Sequence, residues 1–400
     1  MNLFYFISLL ALIFSVTNFL YLSVLPILFL PLSFTLIVHR NFILPKYIVF
    51  FLLLVFYILI SILFYDKSSL FNFDFYRRDG NFFITYLIFF SIVMLGYTRD
   101  PRKDLLLCFS IISFASFFGF IFGHNEGNLV HFFLFESHNA AGGFYGVISA
   151  ICLGFYLENK SKKYLFLSLI FIFFLLMTDS RGTVIALFLT FLYYFFIRFR
   201  FPLTVFVCFV MSQVFLVIFT YSIWIREGKF ISDESTFDGS ITLSGIQRGG
   251  TIIDRTLYLW PRAIDNFLHS PLFGIGFGSY DDLGYSYNTI LPFISEKINQ
   301  TIRHTDAHAH NSYFTILAEL GVAGFILFFI FFYYIYKEIC KIEFWAKDLS
   351  LALKFAFWVC IFSSATEHRL TTPSQMIPFL IILALALAYN RHLNLRSRVY

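Results

Sequence analysis

A chain of 400 residues that is 59% hydrophobic and only 13% charged, with a mean hydropathy of +0.77, falls outside the soluble globular class, in which charged residues make up about a quarter. The net charge of +5 is small and, as the loops show, sorted by side; that marks membrane orientation and argues against a nucleic-acid-binding surface. The five cysteines, Cys108, Cys152, Cys208, Cys340 and Cys360, include no CxxC pair and none in the long polar segment, so neither a disulfide framework nor a zinc site is indicated.

A membrane span takes about 20 apolar residues, and the apolar runs predict twelve helices: 2–18, 20–38, 47–65, 82–97, 105–123, 140–157, 164–179, 183–197, 203–224, 312–336, 349–366 and 374–390. The stretch from Asn2 to Val38 carries no charge and is too long for a signal-peptide core; it reads as two spans broken near Asn18 to Tyr21. The sixty phenylalanines suit lipid-facing helix surfaces and carry no functional message. One alternating set of loops holds sixteen Lys and Arg: Arg40, Lys46, Arg99, Arg102, Lys103, Lys160, Lys162, Lys163, Arg198, Arg200, Lys337, Lys341, Lys347, Arg391, Arg396 and Arg398. The opposite short loops hold five, at Lys67, Arg77, Arg78, Arg181 and Arg369. The positive-inside rule then places both termini in the cytoplasm and the segment from Arg226 to His310 outside. The expected fold is an all-α polytopic membrane protein with about twelve transmembrane helices. Spans one to nine occupy 1–224, a long outer loop with short helices 225–311, and spans ten to twelve with a cytoplasmic tail 312–400.

Within the outer loop, DRTLYLWPRAIDNFLHSP (254–271) predicts a helix ended by Pro271 and the glycines after it. GIGFGSY (274–280) follows no strand pattern and reads as a turn back to the membrane surface, not a nucleotide cradle. No paired interrupted helices mark inverted transporter repeats. The spans are almost free of charge, Lys354 being the main exception, so no mid-membrane polar path supports a flippase or other transporter.

The densest titratable cluster is HTDAHAHNSY (304–313) at the lip of the tenth span. His304 and His308, four apart, share a face in a helix, and His308 and His310, two apart, share one in a strand. Polar residues gather at a helix lip because water is there, so no metal site is expected, and His304 is assigned to solvated surface. His310 directly precedes Asn311 and Ser312, good N-cap residues, which fixes its imidazole at the first turn of a span, where it can accept a proton. On the same side, Arg181 stands at the apex of a tight hairpin whose turn Gly182 permits; it either snorkels to headgroups or meets an anion. Arg255 and Arg262 lie on the outer helix, Arg255 beside Asp254 as a potential ion pair. Arginine forks suit bidentate capture of phosphate oxygens, so their convergence outside the membrane suggests a lipid-linked diphosphate.

SPLFGIGFGSY, followed by HAHNSYFTILAELGVAG, resembles the O-antigen ligase and polymerase superfamily of polytopic bacterial inner-membrane glycosyltransferases. The carrying pattern is His310–Asn311, nine residues, Gly321, two residues and Gly324, with the Ser180–Arg181–Gly182 hairpin and the long loop between spans nine and ten. The resemblance implies His310 as the base or acceptor-binding residue. It implies Arg181 and Arg255 as diphosphate ligands, with Arg262 a competitor for the second place; His308, Asn311 and Asp306, on the same lip as His310, are candidates for acceptor binding or support. The resemblance also implies an active site on the periplasmic face, an undecaprenyl-diphosphate-linked glycan donor, and no cofactor. The reaction expected is metal-independent inverting transfer. A ligase would pass finished O-antigen to the lipid A–core oligosaccharide; a polymerase would pass a growing chain to another lipid-linked repeat unit. The His-Asn motif favours the ligase.

Overall fold

The computed structural model describes residues 3–16, 25–33, 44–65, 67–72, 75–76, 80–95, 99–127, 130–198, 207–208, 211–218, 255, 259–280, 309–370 and 372–396. In chain order the principal helices are α1 (Leu3–Phe14), α2 (Lys46–Tyr65), α3 (Asn81–Leu95), α4 (Arg102–Phe122), α5 (His138–Asn159), α6 (Lys162–Met177), α7 (Arg181–Ile197), α8 (Trp260–His269), α9 (Ser312–Ile342), α10 (Lys347–Ser363) and α11 (Pro373–Arg396). A small antiparallel hairpin, β1 (His124–Glu126) and β2 (Val130–Phe133), joins α4 to α5. Among the described residues, five helices are long and apolar enough to cross a membrane: α2, α4, α5, α9 and residues 373–393 of α11. With that length and composition, the chain is a membrane protein. The run expected as the second span shows a short 3₁₀ turn, Leu25–Phe29, where Pro26 removes a backbone donor, as Pro31 does just after it.

The bundle closes around α5. Gly142, Gly146, Ala150 and Gly154 fall four apart and form one small-residue stripe on that helix. Small residues let apolar helices approach closely where lipid supplies no hydrophobic drive. A Cβ on Gly154 would lie 2.5 Å from the Ala352 Cα on α10, and one on Gly146 2.2 Å from the Thr183 side chain on α7. The same core has an aromatic part: Phe51 of α2, Phe82 and Tyr86 of α3, and Phe328 and Phe331 of α9 meet ring to ring. Phenylalanine therefore serves both surfaces, filling this interior while Phe64, Phe114 and Phe122 stay exposed, as lipid-facing residues would.

The run expected as one tenth span is two pieces. Gly321 has φ 61 and ψ −167, which breaks α9 after Leu320. The turn after α8 fills the break: Val322 and Ala323 N–H donate to the carbonyls of Pro271 and Leu272 at 2.9 and 3.0 Å. Ile275 and Gly276 N–H donate to those of Ala318 and Glu319 at 3.0 Å. Gly274 is explained by close backbone approach, since a Cβ there would sit 2.2 Å from the Glu319 backbone, and Gly276 by the Tyr65 side chain against it; Gly274, Gly276 and Gly278 all have positive φ. In the outer segment the α-helix Trp260–His269 carries Pro261 in its first turn, the position where a missing N–H costs nothing; Arg255 and Leu259 before it are also helical, and Asp254 lies outside the described residues.

Candidate active site

The short first piece of α9 carries the site. Asn311 is its N-cap: its side-chain oxygen accepts from the N–H groups of Tyr313 and Phe314 at 3.0 and 3.3 Å, and its amide donates to Gln213 at 3.0 Å. Asn311 is fully buried, so its role is to anchor the helix start. Just before it, His310 lies in the left-handed region at φ 48, an uncommon conformation for a non-glycine residue and one that recurs at functional sites. The Trp260 indole N–H holds the preceding Ala309 carbonyl at 3.0 Å. The imidazole is thereby turned toward the connection between α10 and α11.

That connection supplies the partner. Glu367 Oε2 lies 2.8 Å from His310 Nδ1, and Glu367 Oε1 accepts from Arg255 Nη2 at 2.6 Å. Arg255 Nη1 donates to the Thr366 carbonyl at 2.8 Å. Arg255 Nη2 also comes within 3.5 Å of His310 Nδ1, but the shorter approach of the carboxylate decides the tautomer: Nδ1 carries the proton and donates to Glu367. Burial would push the Glu367 carboxyl up, yet the hydrogen bond from His310 and the charges of Arg369 and Arg255 outweigh it and hold the group at about 2. It is therefore ionised at neutral pH, and with Nδ1–H fixed, the lone pair of neutral His310 is on Nε2.

The loop bearing Glu367 is pinned from several sides. Ser312 Oγ accepts from the Arg369 N–H at 2.7 Å, Tyr86 of α3 donates to the Leu370 carbonyl at 2.6 Å, and Tyr313 donates to the Ile361 carbonyl at 2.7 Å. Ser312, expected as a cap, instead ties the helix start to this loop.

The hairpin before α7 abuts the same loop. Its left-handed turn residue is Asp179, φ 50, and not Gly182, which lies in the first turn of α7. Gly182 is small for another reason: a Cβ there would fall 2.2 Å from Thr366 Oγ1, the residue whose carbonyl holds Arg255. Arg181 is exposed, with Nε 3.4 Å from Asp179 on its own turn. Arg262 lies over the Tyr280 ring at 5.3 Å, and the Tyr280 hydroxyl donates to the Leu259 carbonyl at 2.7 Å. The structure thus brings Arg255, and not Arg262, to His310, with Arg181 on the adjoining turn. His304, Asp306 and His308, and also Asp254, lie outside the described residues. Among the described residues no group of three or more His, Cys, Asp or Glu is arranged to hold a metal ion.

Glu367 and Arg369 were missed by the sequence reading, which counted Arg369 only as a loop charge. The available signal was TEHRL (366–370), three ionisable residues in a short turn between two apolar runs.

A bundle of apolar helices bearing a carboxylate-oriented histidine and clustered arginines at one end defines a membrane protein with a candidate base beside a candidate anion-binding group. Residues 166–329 match the family model described as O-Antigen ligase, so this segment is similar to that family. The family's members are membrane glycosyltransferase-like enzymes acting on lipid-linked glycans. The match takes in Arg181, Arg255, His310 and Gly321; Glu367 and Arg369 lie beyond it. A comparison with curated proteins found no match.

Proposed function

We propose that the protein is an O-antigen ligase, transferring an undecaprenyl-diphosphate-linked glycan to a hydroxyl of the lipid A–core oligosaccharide on the periplasmic face of the inner membrane. The observation that carries this reading is the shared carboxylate of Glu367, 2.8 Å from His310 and 2.6 Å from Arg255: one group orients a base and holds an anion-binding fork beside it. His310 Nε2 takes the proton of the acceptor hydroxyl as its oxygen attacks the anomeric carbon. The bond from that carbon to the diphosphate oxygen breaks, its electron pair leaves with the polyprenyl diphosphate, and the anomeric configuration inverts. A guanidinium has five N–H donors; Arg255 gives two groups to Thr366 and Glu367, and the remaining ones, with the exposed fork of Arg181, offset charge on the leaving diphosphate.

The test is deletion of the gene, read by lipopolysaccharide gel and complemented by the intact chain. Loss of all O-antigen bands is the expected result. Retention of a single-repeat band would make the enzyme a polymerase of lipid-linked repeat units, and an unchanged ladder would refute both.

A further inference from the structure

Arg369 is the largest fully buried side chain among the described residues, at 2% exposure. A charge so placed is costly unless its surroundings are built for it. Here they are. Nη1 donates to the Asn139 carbonyl at the start of α5 at 2.5 Å; Nη2 donates to Ser180 Oγ and Thr183 Oγ1 at the start of α7 at 3.3 and 3.4 Å. Space for the guanidinium comes from Gly143, whose Cβ would lie 2.6 Å from Nη1, and space for Ser180 comes from Gly142, whose Cβ would lie 2.2 Å from the Ser180 Cβ. Glycine inside a helix costs about 1 kcal/mol relative to alanine, so two in succession on α5 are a concession to what lies against them.

Local helix stability does not account for the position. α5 and α7 both begin here, and helix N-termini are the ends that disfavour a cation. What offsets the charge is Glu367, two residues away in the same loop, whose carboxyl is in turn held down by Arg369. The guanidinium therefore joins the loop carrying Glu367 to the turn carrying Arg181, while Gly182 and Thr366 touch beside it. These are the two pieces of chain that the proposed reaction must hold at a fixed separation.

We propose that Arg369 is a positioning residue that locks the Ser180–Gly182 turn against the Glu367 loop, so that Arg181 and the His310–Glu367–Arg255 cluster act on one diphosphate. The inference rests on the donor reading above and concerns a residue beyond the family match. It does not make Arg369 a ligand, because the side chain is fully buried with both Nη groups bonded to Asn139, Ser180 and Thr183.

The test measures binding of farnesyl diphosphate to the purified full-length chain in lipid nanodiscs. Arg369→Met removes a buried charge and can fail to fold, so the deciding variant is Ser180→Ala with Thr183→Val, which cuts the same tie from the other side. With membrane level and elution profile unchanged, that variant should bind about tenfold more weakly, as for loss of one charge-assisted hydrogen bond. Arg369→Lys should be equally weak, since an ammonium keeps the charge but not the fork. Adding Arg181→Ala to the Ser180/Thr183 variant should cost nothing beyond Arg181→Ala alone, because one variant acts through the other. Normal affinity in the Ser180/Thr183 or lysine variant, or losses that simply add, would overturn the proposal. Failure of the unaltered protein to bind the probe while Arg181→Ala behaves identically would instead overturn the donor reading.

Discussion

Glu367→Gln is the substitution that separates orientation of the base from mere packing. The amide is nearly isosteric, yet it carries no charge and cannot serve both His310 at 2.8 Å and Arg255 at 2.6 Å as a carboxylate does. A hydrogen bond to a charged group contributes about 1.5–3 kcal/mol, so a transition state that relies on this one should lose about 10- to 10²-fold in rate. Stability carries a second signature. The carboxyl is held at about 2 against an ordinary 4.5, a difference worth about 3 kcal/mol. Because the folded-state value is depressed, that contribution is fully present above about pH 4.5 and is lost as the pH falls toward 2. Thermal unfolding of the detergent-solubilised protein from pH 6 to pH 2.5 should show this acid step in the unaltered chain and lack it in Glu367→Gln. Transfer assayed with lipid-linked glycan at neutral pH should fall in the same variant at unchanged membrane level. Near-normal transfer would show that Glu367 does not orient the base, and the histidine would then need a different partner.

His310→Ala should cost about 10²–10⁴ in transfer rate, the usual contribution of a general base, while the protein still accumulates, as immunoblot of membranes would show. Arg181→Lys should raise the donor KM without altering melting, because the exposed side chain contributes little packing and an ammonium lacks the bidentate fork; an unchanged KM would remove Arg181 from the diphosphate site. Gly321→Ala should destabilise the protein by about 2 kcal/mol or more, since φ is positive there and the new Cβ would lie 2.5 Å from the Leu272 carbonyl group. A melting temperature equal to that of the parent would mean that the break in α9 is dispensable.

Periodicity and composition fixed much that is local. Apolar run lengths located most helices to within a few residues, because a helix in lipid must satisfy its own backbone and bury no charge. Asn311 as a cap and His310 at a helix lip follow from residue chemistry alone. Other features depended on segments far apart in the chain. Gly182 reads as a turn former until Thr366 is found against it, and the glycines of 274–278 read as a simple turn until the broken backbone at Gly321 is seen receiving them.

The sequence by itself determined a greasy helical chain with a histidine and arginines gathered at one set of helix ends, since those are matters of local pattern. Which arginine meets the histidine was decided only by tertiary structure. Glu367 is 57 residues from His310 and 112 from Arg255, and no spacing rule spans such distances. The carboxylate that draws Arg255 in and leaves Arg262 on the Tyr280 ring is brought there by the packing of α10 and α11 against the start of α9. The partner of a charge is a property of the fold, because desolvation makes every buried ion depend on whichever opposite charge the packing supplies.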